Sequence, residues 1–418
     1  MFCKQYFDPC FIWAIIAGFI ICFCPALAYS KPEQSTLAFQ RHSVDPQSRS
    51  GIPLGGFLLT PLVSYDFVYQ DNVFLKKADP KEDLISVYRP AISLQSNWAR
   101  HEVYAGLQAN KTDYRRYSQK DSLDYGAIVS GVYDITYGTY LDGYLRHDRQ
   151  SLTRGSEDDI NGEVPIQYDV WASRIGLTRA LSYIQAKGFV FHDYMERHGR
   201  RATSVNGDIL TRERKGAEVT FAYEYLPQNN VFLTLSRIHA EDSVIGADNR
   251  TIYKNEFKYG VNFNHSNIYQ AMVYFGNTQT DYSHISAQLK DPFAGLNLKW
   301  SPTEQTYMTL STGRYYREGS ISGNERVETD STKIDIFHQL TDSIMGNLTG
   351  FMADYTYKTL SGSFLRQNRI YGTGLHFDYR LSDHFGFKFG YDYKRRNSDD
   401  ITDEYINNLW LFSVNYMH

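Results

Sequence analysis

From Phe57 to its last residue the chain reads as a succession of strand-like runs, and this periodicity limits the folds that it can adopt. In residues 139–148, TYLDGYLRHD, Leu141 and Leu145 fall on one face of a strand and Asp142 falls on the other. Side chains alternate between two faces in extended backbone, where the period is two residues. The sequence therefore predicts an all-β chain whose strands have an apolar and a polar face.

The connections between these runs alternate in length. Eight short connections have turn-like sequences, at residues 97–100, 134–138, 179–182, 226–230, 265–267, 301–305, 340–343 and 381–384. Longer polar connections lie between them, for example at residues 76–83, 153–165, 240–250, 317–328 and 395–404. Transmembrane barrels alternate in this way, with short turns on the periplasmic side and longer loops outside. The runs predict a transmembrane antiparallel outer-membrane β-barrel of about 18 strands, with about 16 as the alternative.

The aromatic content indicates lipid as the surroundings of the apolar face. The chain has 34 Tyr, 25 Phe and 5 Trp, together 15% of its residues, yet its mean hydropathy is −0.45. Such a hydrophilic average is unusual for a soluble core but fits a barrel with Tyr and Trp at both membrane interfaces. The soluble alternatives are a β-sandwich, which at this size would show several domains, and a β-helix, which would show a tighter repeat.

The N-terminus has the features of an export signal. Lys4 precedes an apolar run over residues 11–24, and the pattern Ala26-Leu27-Ala28 follows. The run is too short to span a bilayer comfortably, and the Ala-x-Ala pattern fits cleavage after Ala28. All four cysteines lie in this leader, so we expect no disulfide in the mature chain. The chain is thus divided into a signal peptide (1–28), a flexible periplasmic N-terminal segment (29–55) and a transmembrane β-barrel (56–418).

Charge and motifs indicate neither a nucleic-acid partner nor a catalytic centre. The whole chain has 43 basic and 47 acidic residues, which is too balanced for a nucleic-acid-binding protein. Three adjacent pairs combine a histidine with an aspartate: His147-Asp148, His192-Asp193 and Asp383-His384. Neighbours on a strand face opposite sides, so the first two pairs cannot readily act together, and the third lies in a turn. We predict no catalytic residue, no cofactor and no metal, although acidic loop clusters at 157–159, 399–400 and 403–404 could bind Ca²⁺.

The polar faces of the strands are predicted to line the lumen. The candidate lumen residues are Gln108, Tyr140, Asp142, Tyr144, Arg146, Asp148, Arg174, Lys258, Asn262, Asn297, Lys299, His376, Asp378, Arg380, Lys388, Asp392 and Lys394, with Asp66, Glu102, Glu218 and Glu224 also inward. Their charged members are seven basic and eight acidic residues, so the lumen is mixed rather than strongly cationic. Tyrosines among polar groups suit sugars, whose C–H faces stack on rings.

The last strand, LWLFSVNYMH, has an aromatic face that we expect to contact lipid, formed by Trp410, Phe412, Val414 and Tyr416. Pairing of this strand with the first would close the barrel and remove both sheet edges. Outer-membrane proteins typically end on such a strand, which the barrel-assembly machinery reads. His418 stands where a terminal Phe is usual.

Three segments resemble the putative beta-barrel porin 2 family. The first is SYDFVYQDNVF (64–74), with Asp71, Asn72, Val73 and Phe74, followed by Asp83 and Pro90. The others are WARHEVYAGLQANKTDYRRYSQKDSLDYG (98–126) and the closing GYDYKRRNSDDITDEYINNLWLFSVNY (390–416). The resemblance implies a barrel in the outer membrane of a Gram-negative bacterium, of the EpsL type that accompanies exopolysaccharide and capsule operons.

The resemblance also implies a function in the export or assembly of a surface polysaccharide. We expect a passive conduit or accessory that contacts outer-membrane lipid, lipopolysaccharide, a polysaccharide substrate and periplasmic export partners. Two alternatives stay open, a general diffusion porin for small solutes and an outer-membrane enzyme that modifies polysaccharide. An enzyme would need an acid, a base and a nucleophile together on one patch.

Overall fold

The computed structural model describes residues 51–152, 165–198, 209–245, 249–265, 268–283, 287–318, 325–400 and 403–417. The expected signal peptide (1–28), most of the N-terminal segment and the acidic cluster at 157–159 lie outside these ranges. Among the described residues, no helix is long and apolar enough to cross a membrane.

Nineteen strands make up the fold of the described chain. They are β1 (Ile52–Leu54), β2 (Phe57–Gln70), β3 (Asp83–Ser96), β4 (Glu102–Tyr114), β5 (Ser122–Thr136), β6 (Thr139–Ser151), β7 (Gln167–Ala180), β8 (Ile184–His198), β9 (Ile209–Leu226), β10 (Asn229–Val244), β11 (Arg250–His265), β12 (Tyr269–Tyr282), β13 (Ala287–Thr303), β14 (Thr306–Glu318), β15 (Glu325–Thr341), β16 (Ile344–Thr359), β17 (Phe364–Arg380), β18 (Phe385–Ser398) and β19 (Tyr405–Met417). A 3₁₀ turn, Ser118–Lys120, lies between β4 and β5.

The strands β2 to β19 form a closed antiparallel barrel. Each pairs with its neighbours in sequence, and β19 pairs with β2 from Leu409↔Gln70 to Met417↔Leu62. The short β1 pairs with β2 from Ile52↔Leu59, where β19 does not reach. The prediction of 18 barrel strands is confirmed and the alternative of 16 is wrong, while β1 is an extra strand inside the segment predicted to be flexible.

All eight short connections occur where the sequence predicts them, at one end of the barrel, which we call the periplasmic end. At the opposite, outer end the strands extend further than predicted. Residues 240–250 read as one polar connection, but β10 continues to Val244 and β11 begins at Arg250. Strands above the lipid have no apolar outer face, so their alternation is hidden in a sequence that is polar throughout.

The cross-strand register separates an apolar outer face from a polar inner face. Exposed apolar side chains share the outer face: Leu107, Val129, Leu145, Trp171, Ile175, Val190, Phe221, Phe257, Phe275, Leu348, Leu375 and Phe389. Buried polar side chains share the inner face: Asp66, Asp148, Thr178, Thr234, Lys258, Thr278, Asn368 and Ser413. On β19, Trp410, Phe412 and Tyr416 lie exposed on the outer face and Val414 is half-buried beside them. This arrangement suits a barrel surrounded by lipid.

Candidate functional site in the barrel lumen

The register places all seventeen candidate lumen residues on the inner face, together with Asp66, Glu102, Glu218 and Glu224. They do not form one cluster, because they are spread around the whole wall. Contacts between their side chains group many of them into two patches.

The first group lies on β6 to β9, and we call it the arginine–aspartate patch. Arg174 donates to the Asp142 carboxylate at 3.2 Å, and Arg146 Nε lies 2.5 Å from the Asp148 carboxylate. The Arg174 guanidinium also lies 4.0 Å from the centre of the Phe189 ring, within the range of a cation–π contact. The patch therefore combines fixed charges of both signs with an aromatic face.

Tyr144 lies at the centre of the arginine–aspartate patch. It stands directly opposite Arg174 on β7 and between Asp142 and Arg146 on the inner face of β6. Asp193 and Arg214 pair across β8 and β9 at 2.8 Å, which adds a third ion pair to the patch. Sequence reasoning missed Phe189, Asp193 and Arg214 because polarity alternates only weakly in the run that became β8 and in the first half of the run that became β9.

Glycines in the wall make room for this patch. A Cβ atom on Gly176 would lie 2.9 Å from Asp142 Oδ1, and one on Gly126 would overlap Asp148. Both glycines stand directly opposite the aspartate concerned, on the neighbouring strand. Each carboxylate thus lies along the wall in the space that a side chain would otherwise occupy.

Elsewhere in the lumen, aromatic rings also lie over glycines of the neighbouring strand. A Cβ atom on Gly216 would lie 2.6 Å from Phe191, one on Gly260 would lie 2.7 Å from Phe232, and one on Gly372 would lie 2.8 Å from Phe351. Tyr274 over Gly295 and Phe293 over Gly276 complete a group that we call the lumenal rings: Phe191, Phe232, Tyr274, Phe293 and Phe351. In each case the far end of the ring lies over the glycine, in the space that a side chain would otherwise fill on the lumenal side of the wall.

The second patch lies on β13 to β18, towards the periplasmic end. Tyr307 and Phe337 stack with ring centres 4.4 Å apart and planes within 15°, and Lys299 Nζ lies 5.3 Å from the Tyr307 ring. His376 contacts the Asp392 carboxylate at 3.2 Å, also over glycine positions of the wall. This periplasmic patch resembles the first in combining aromatic rings with polar side chains that contact each other.

The Asp-Asn-Val-Phe motif at 71–74 joins the first long connection to the last strand. Asn72, which is 2% exposed, donates to the carbonyl oxygens of Ile406 and Lys76 at 2.8 Å and accepts from the Lys76 amide. Asp71 accepts from the backbone amide of Asn408 at 2.8 Å and from its side chain at 2.6 Å. These bonds span the seam where β19 meets β2, so the motif fastens the closure of the barrel.

The second half of the motif packs inward at the outer mouth. Val73, 1% exposed, is clustered with Val68 and Val87, and Phe74 packs against this cluster. The buried Lys120 donates to the Val73 carbonyl oxygen at 2.8 Å and lies 4.4 Å from the Phe74 ring.

Asp83 anchors the next connection by accepting from the amides of Arg116 and Tyr117. Pro90, also part of the family-like motif, lies within β3 opposite Val63 on the outer face.

A second narrowing of the outer mouth lies on the other side. Leu360, between β16 and β17, is buried with Ala240, Ile252 and Tyr282 of β10 to β12. Those strands are not neighbours of β16 in the sheet, so this contact crosses the interior. Nearer the outer end of the same strands, Asp242 accepts two hydrogen bonds from Arg212, at 2.7 and 2.8 Å, and is also paired with Arg250.

Comparison with known proteins agrees with this architecture. The family model described as putative beta-barrel porin 2 matches residues 45–417. The chain belongs to this family. A search of curated proteins finds no match.

Among solved structures, this porin is similar to the FrpB iron transporter from Neisseria meningitidis (F5-1 variant, apoprotein form), with 9% identity and a TM-score of 0.51 over 81% of this chain and 62% of that one. It is also similar to the outer membrane protein opdK from Pseudomonas aeruginosa, with 8% identity and a TM-score of 0.44 over 86% of this chain and 98% of that one. The porin thus spans less than two thirds of the FrpB chain. At these identities the likeness is one of fold.

In the first two histidine–aspartate pairs of this porin, the histidine lies on the outer face of the wall and the aspartate on the inner face. His147 stacks on Trp171 outside, with ring centres 4.0 Å apart, while Asp148 lies in the lumen. His192 contacts Glu213 outside at 2.8 Å, while Asp193 lies in the lumen.

The third pair lies in the turn between β17 and β18, where His384 contacts the Met417 carbonyl oxygen. Within the described ranges, no three His, Asp or Glu side chains are grouped as metal ligands would be.

Proposed function

We propose that this porin is a conduit or accessory for the export of an exopolysaccharide or capsular polysaccharide across the outer membrane. The observation that carries the proposal is the set of lumenal rings lying over wall glycines. Pyranose rings present flat C–H faces, and an aromatic face fixed along the path of a polymer can bind each sugar weakly as it passes.

The charges of the lumen support a sugar rather than a small ion as the substrate. Ion-selective pores use rings of one charge sign, whereas here arginines and aspartates are paired on the same wall. Paired guanidinium and carboxylate groups still offer hydrogen-bond donors and acceptors to hydroxyl groups. The Tyr307–Phe337 stack would offer an aromatic surface to a polymer that enters from the periplasm.

Export by a passive barrel needs a driving force from elsewhere. The chain contains no nucleotide-binding motif, so we assign energy input to inner-membrane polymerisation and periplasmic export partners.

The first experiment is a clean deletion strain in which surface and periplasmic polymer are both measured. We expect loss of polymer outside with accumulation inside. Unchanged polymer in both compartments would overturn the proposal and, together with conductance for small solutes in planar bilayers, would identify a general diffusion porin.

A second experiment tests whether the lumenal rings are needed for polymer export. The double variant Phe191→Ala and Phe351→Ala should lower surface polymer several-fold and raise periplasmic polymer. The double variant Phe275→Ala and Phe389→Ala, an equal truncation on the lipid face, is the matched control and should leave both unchanged. If the two variants behave alike at equal barrel abundance, the rings do not guide the polymer.

A further inference from the structure

The outer wall above the apolar band carries arginines, and several of them are neutralised by an aspartate in the same way. Three of them donate both guanidinium nitrogens to an aspartate directly opposite on the next strand: Arg149 to Asp169, Arg314 to Asp330 and Arg369 to Asp354. The donor–acceptor distances are 2.6–3.1 Å. Such bidentate pairs satisfy an arginine without any external anion.

Arg237 departs from this pattern. It lies exposed on the outer face of β10, and its cross-strand neighbours are Ala217 on β9 and Asn255 on β11. Neither neighbour is acidic, and no described side chain forms an ion pair with its guanidinium. The nearby acids are engaged elsewhere, since Glu213 pairs with Lys215 and Glu241 with His239. Arg237 is therefore a cation with room for an external anion.

The same row of the sheet continues to a second such cation. Asn255 is opposite Gln279, and Gln279 is opposite Lys290, which lies exposed on the outer face of β13. Lys290 also has no ion pair among the described side chains. Three strand spacings separate it from Arg237, or about 14 Å. Two cations thus flank a pair of side-chain amides along one line across the wall.

A hollow of about 400 Å³ lies beneath this line. Its upper part is lined by Arg237, Asn255 and Gln279, and its lower part by Val219, Leu235 and Phe257. The small side chain of Ala217 contributes to the depth of the hollow. The lining of the hollow changes from polar above to apolar below, so the hollow lies where the apolar band ends on the outer side, at the level of the lipid headgroups.

We propose that this hollow binds the phosphorylated disaccharide headgroup of the outer-leaflet glycolipid, the lipid A portion of lipopolysaccharide. The planar guanidinium of Arg237 suits bidentate binding of one phosphate, and Lys290 suits a second phosphate at the other end of the headgroup. The amides of Asn255 and Gln279 can bind sugar hydroxyls between the two phosphates. Leu235 and Phe257 below them would contact acyl chains. A phospholipid headgroup with one phosphate would satisfy only one of the two cations.

The test uses the full-length protein purified from outer membranes, with native mass spectrometry to count retained lipid. Wild-type protein should retain one diphosphorylated lipid A that neither phosphatidylglycerol nor inorganic phosphate displaces. The double variant Arg237→Gln and Lys290→Gln should lower retention at least tenfold. Arg369→Gln, which removes an aspartate-paired arginine on another part of the wall, is the matched control and should retain the lipid.

A second variant supplies the carboxylate that Arg237 lacks on the neighbouring strand. Asn255→Asp places a carboxylate opposite Arg237, as Asp169, Asp330 and Asp354 stand opposite their arginines, and should lower retention while both cations are present. Equal retention by all variants would overturn the proposal. So would equal loss in Arg369→Gln, which would indicate unspecific annular lipid, or replacement of lipid A by phosphatidylglycerol.

Discussion

Replacing Asn72 tests whether the family-like motif fastens the barrel seam. The side chain makes three hydrogen bonds, two of them to backbone oxygens of Ile406 and Lys76, and it is 2% exposed. At about 1 kcal/mol net for each hydrogen bond, and with buried backbone groups left unpaired, Asn72→Ala should lower the free energy of unfolding by roughly 2–4 kcal/mol. Asn72→Asp should cost at least as much, because a carboxylate would face two carbonyl oxygens.

The assay is urea-induced unfolding of the purified barrel in lipid vesicles, followed by tryptophan fluorescence. Asn347→Ala is the control, since that side chain makes two long hydrogen bonds: it donates to the Ile336 carbonyl oxygen at 3.4 Å and accepts from the Thr349 hydroxyl at 3.3 Å. We expect a loss of less than about 1 kcal/mol in the control. An Asn72→Ala barrel within about 0.5 kcal/mol of the wild type would refute the seam role, because surface substitutions commonly fall in that range.

Three further outcomes follow from particular contacts. Gly176→Ala should destabilise the barrel by about 1–3 kcal/mol in the same assay, because its Cβ would displace Asp142, whereas Gly188→Ala, with 3.7 Å of space, should be near neutral. Lys120→Met should raise single-channel conductance in planar bilayers, since it removes the bond that holds Val73 at the outer mouth, and unchanged conductance would contradict this. Burial raises the pKa of Asp403, in the last outer connection, so the ionised carboxylate destabilises the folded barrel most at a pH above the folded pKa. Asp403→Asn should therefore raise the urea midpoint at pH 7, and this advantage should disappear as the pH falls through the folded pKa.

The barrel could be predicted from the sequence because strand alternation is a local property. That Tyr140, Asp142 and Tyr144 face the lumen can be predicted from the alternation within their own strand, without knowledge of the neighbouring strands. The positions of the lumenal rings could not be predicted in this way. Phe191 lies along the wall because Gly216, on another strand, leaves space for it. Polarity alternates only weakly in the strand of Phe191, so the sequence does not predict even that this side chain faces the lumen.

The motif at 71–74 shows the same limit more sharply. Its residues could be recognised in the sequence, but the role of Asn72 depends on Ile406, 334 positions further along the chain. No pattern near Asn72 indicates this partner. The contact exists only because the last strand returns to the first, so it follows from closure of the barrel rather than from the motif itself.

Closure of the barrel and the width of its outer mouth are therefore linked. Asp71 and Asn72 are bound to β19, and the next two residues, Val73 and Phe74, extend from that anchor into the mouth. A change that loosens the anchor should release both the seam and the constriction, whereas loss of Lys120 should release the constriction alone. In the proposed conduit a polymer would pass this mouth to leave the cell, so the motif would join two requirements of that function: a sheet without open edges and a narrow exit.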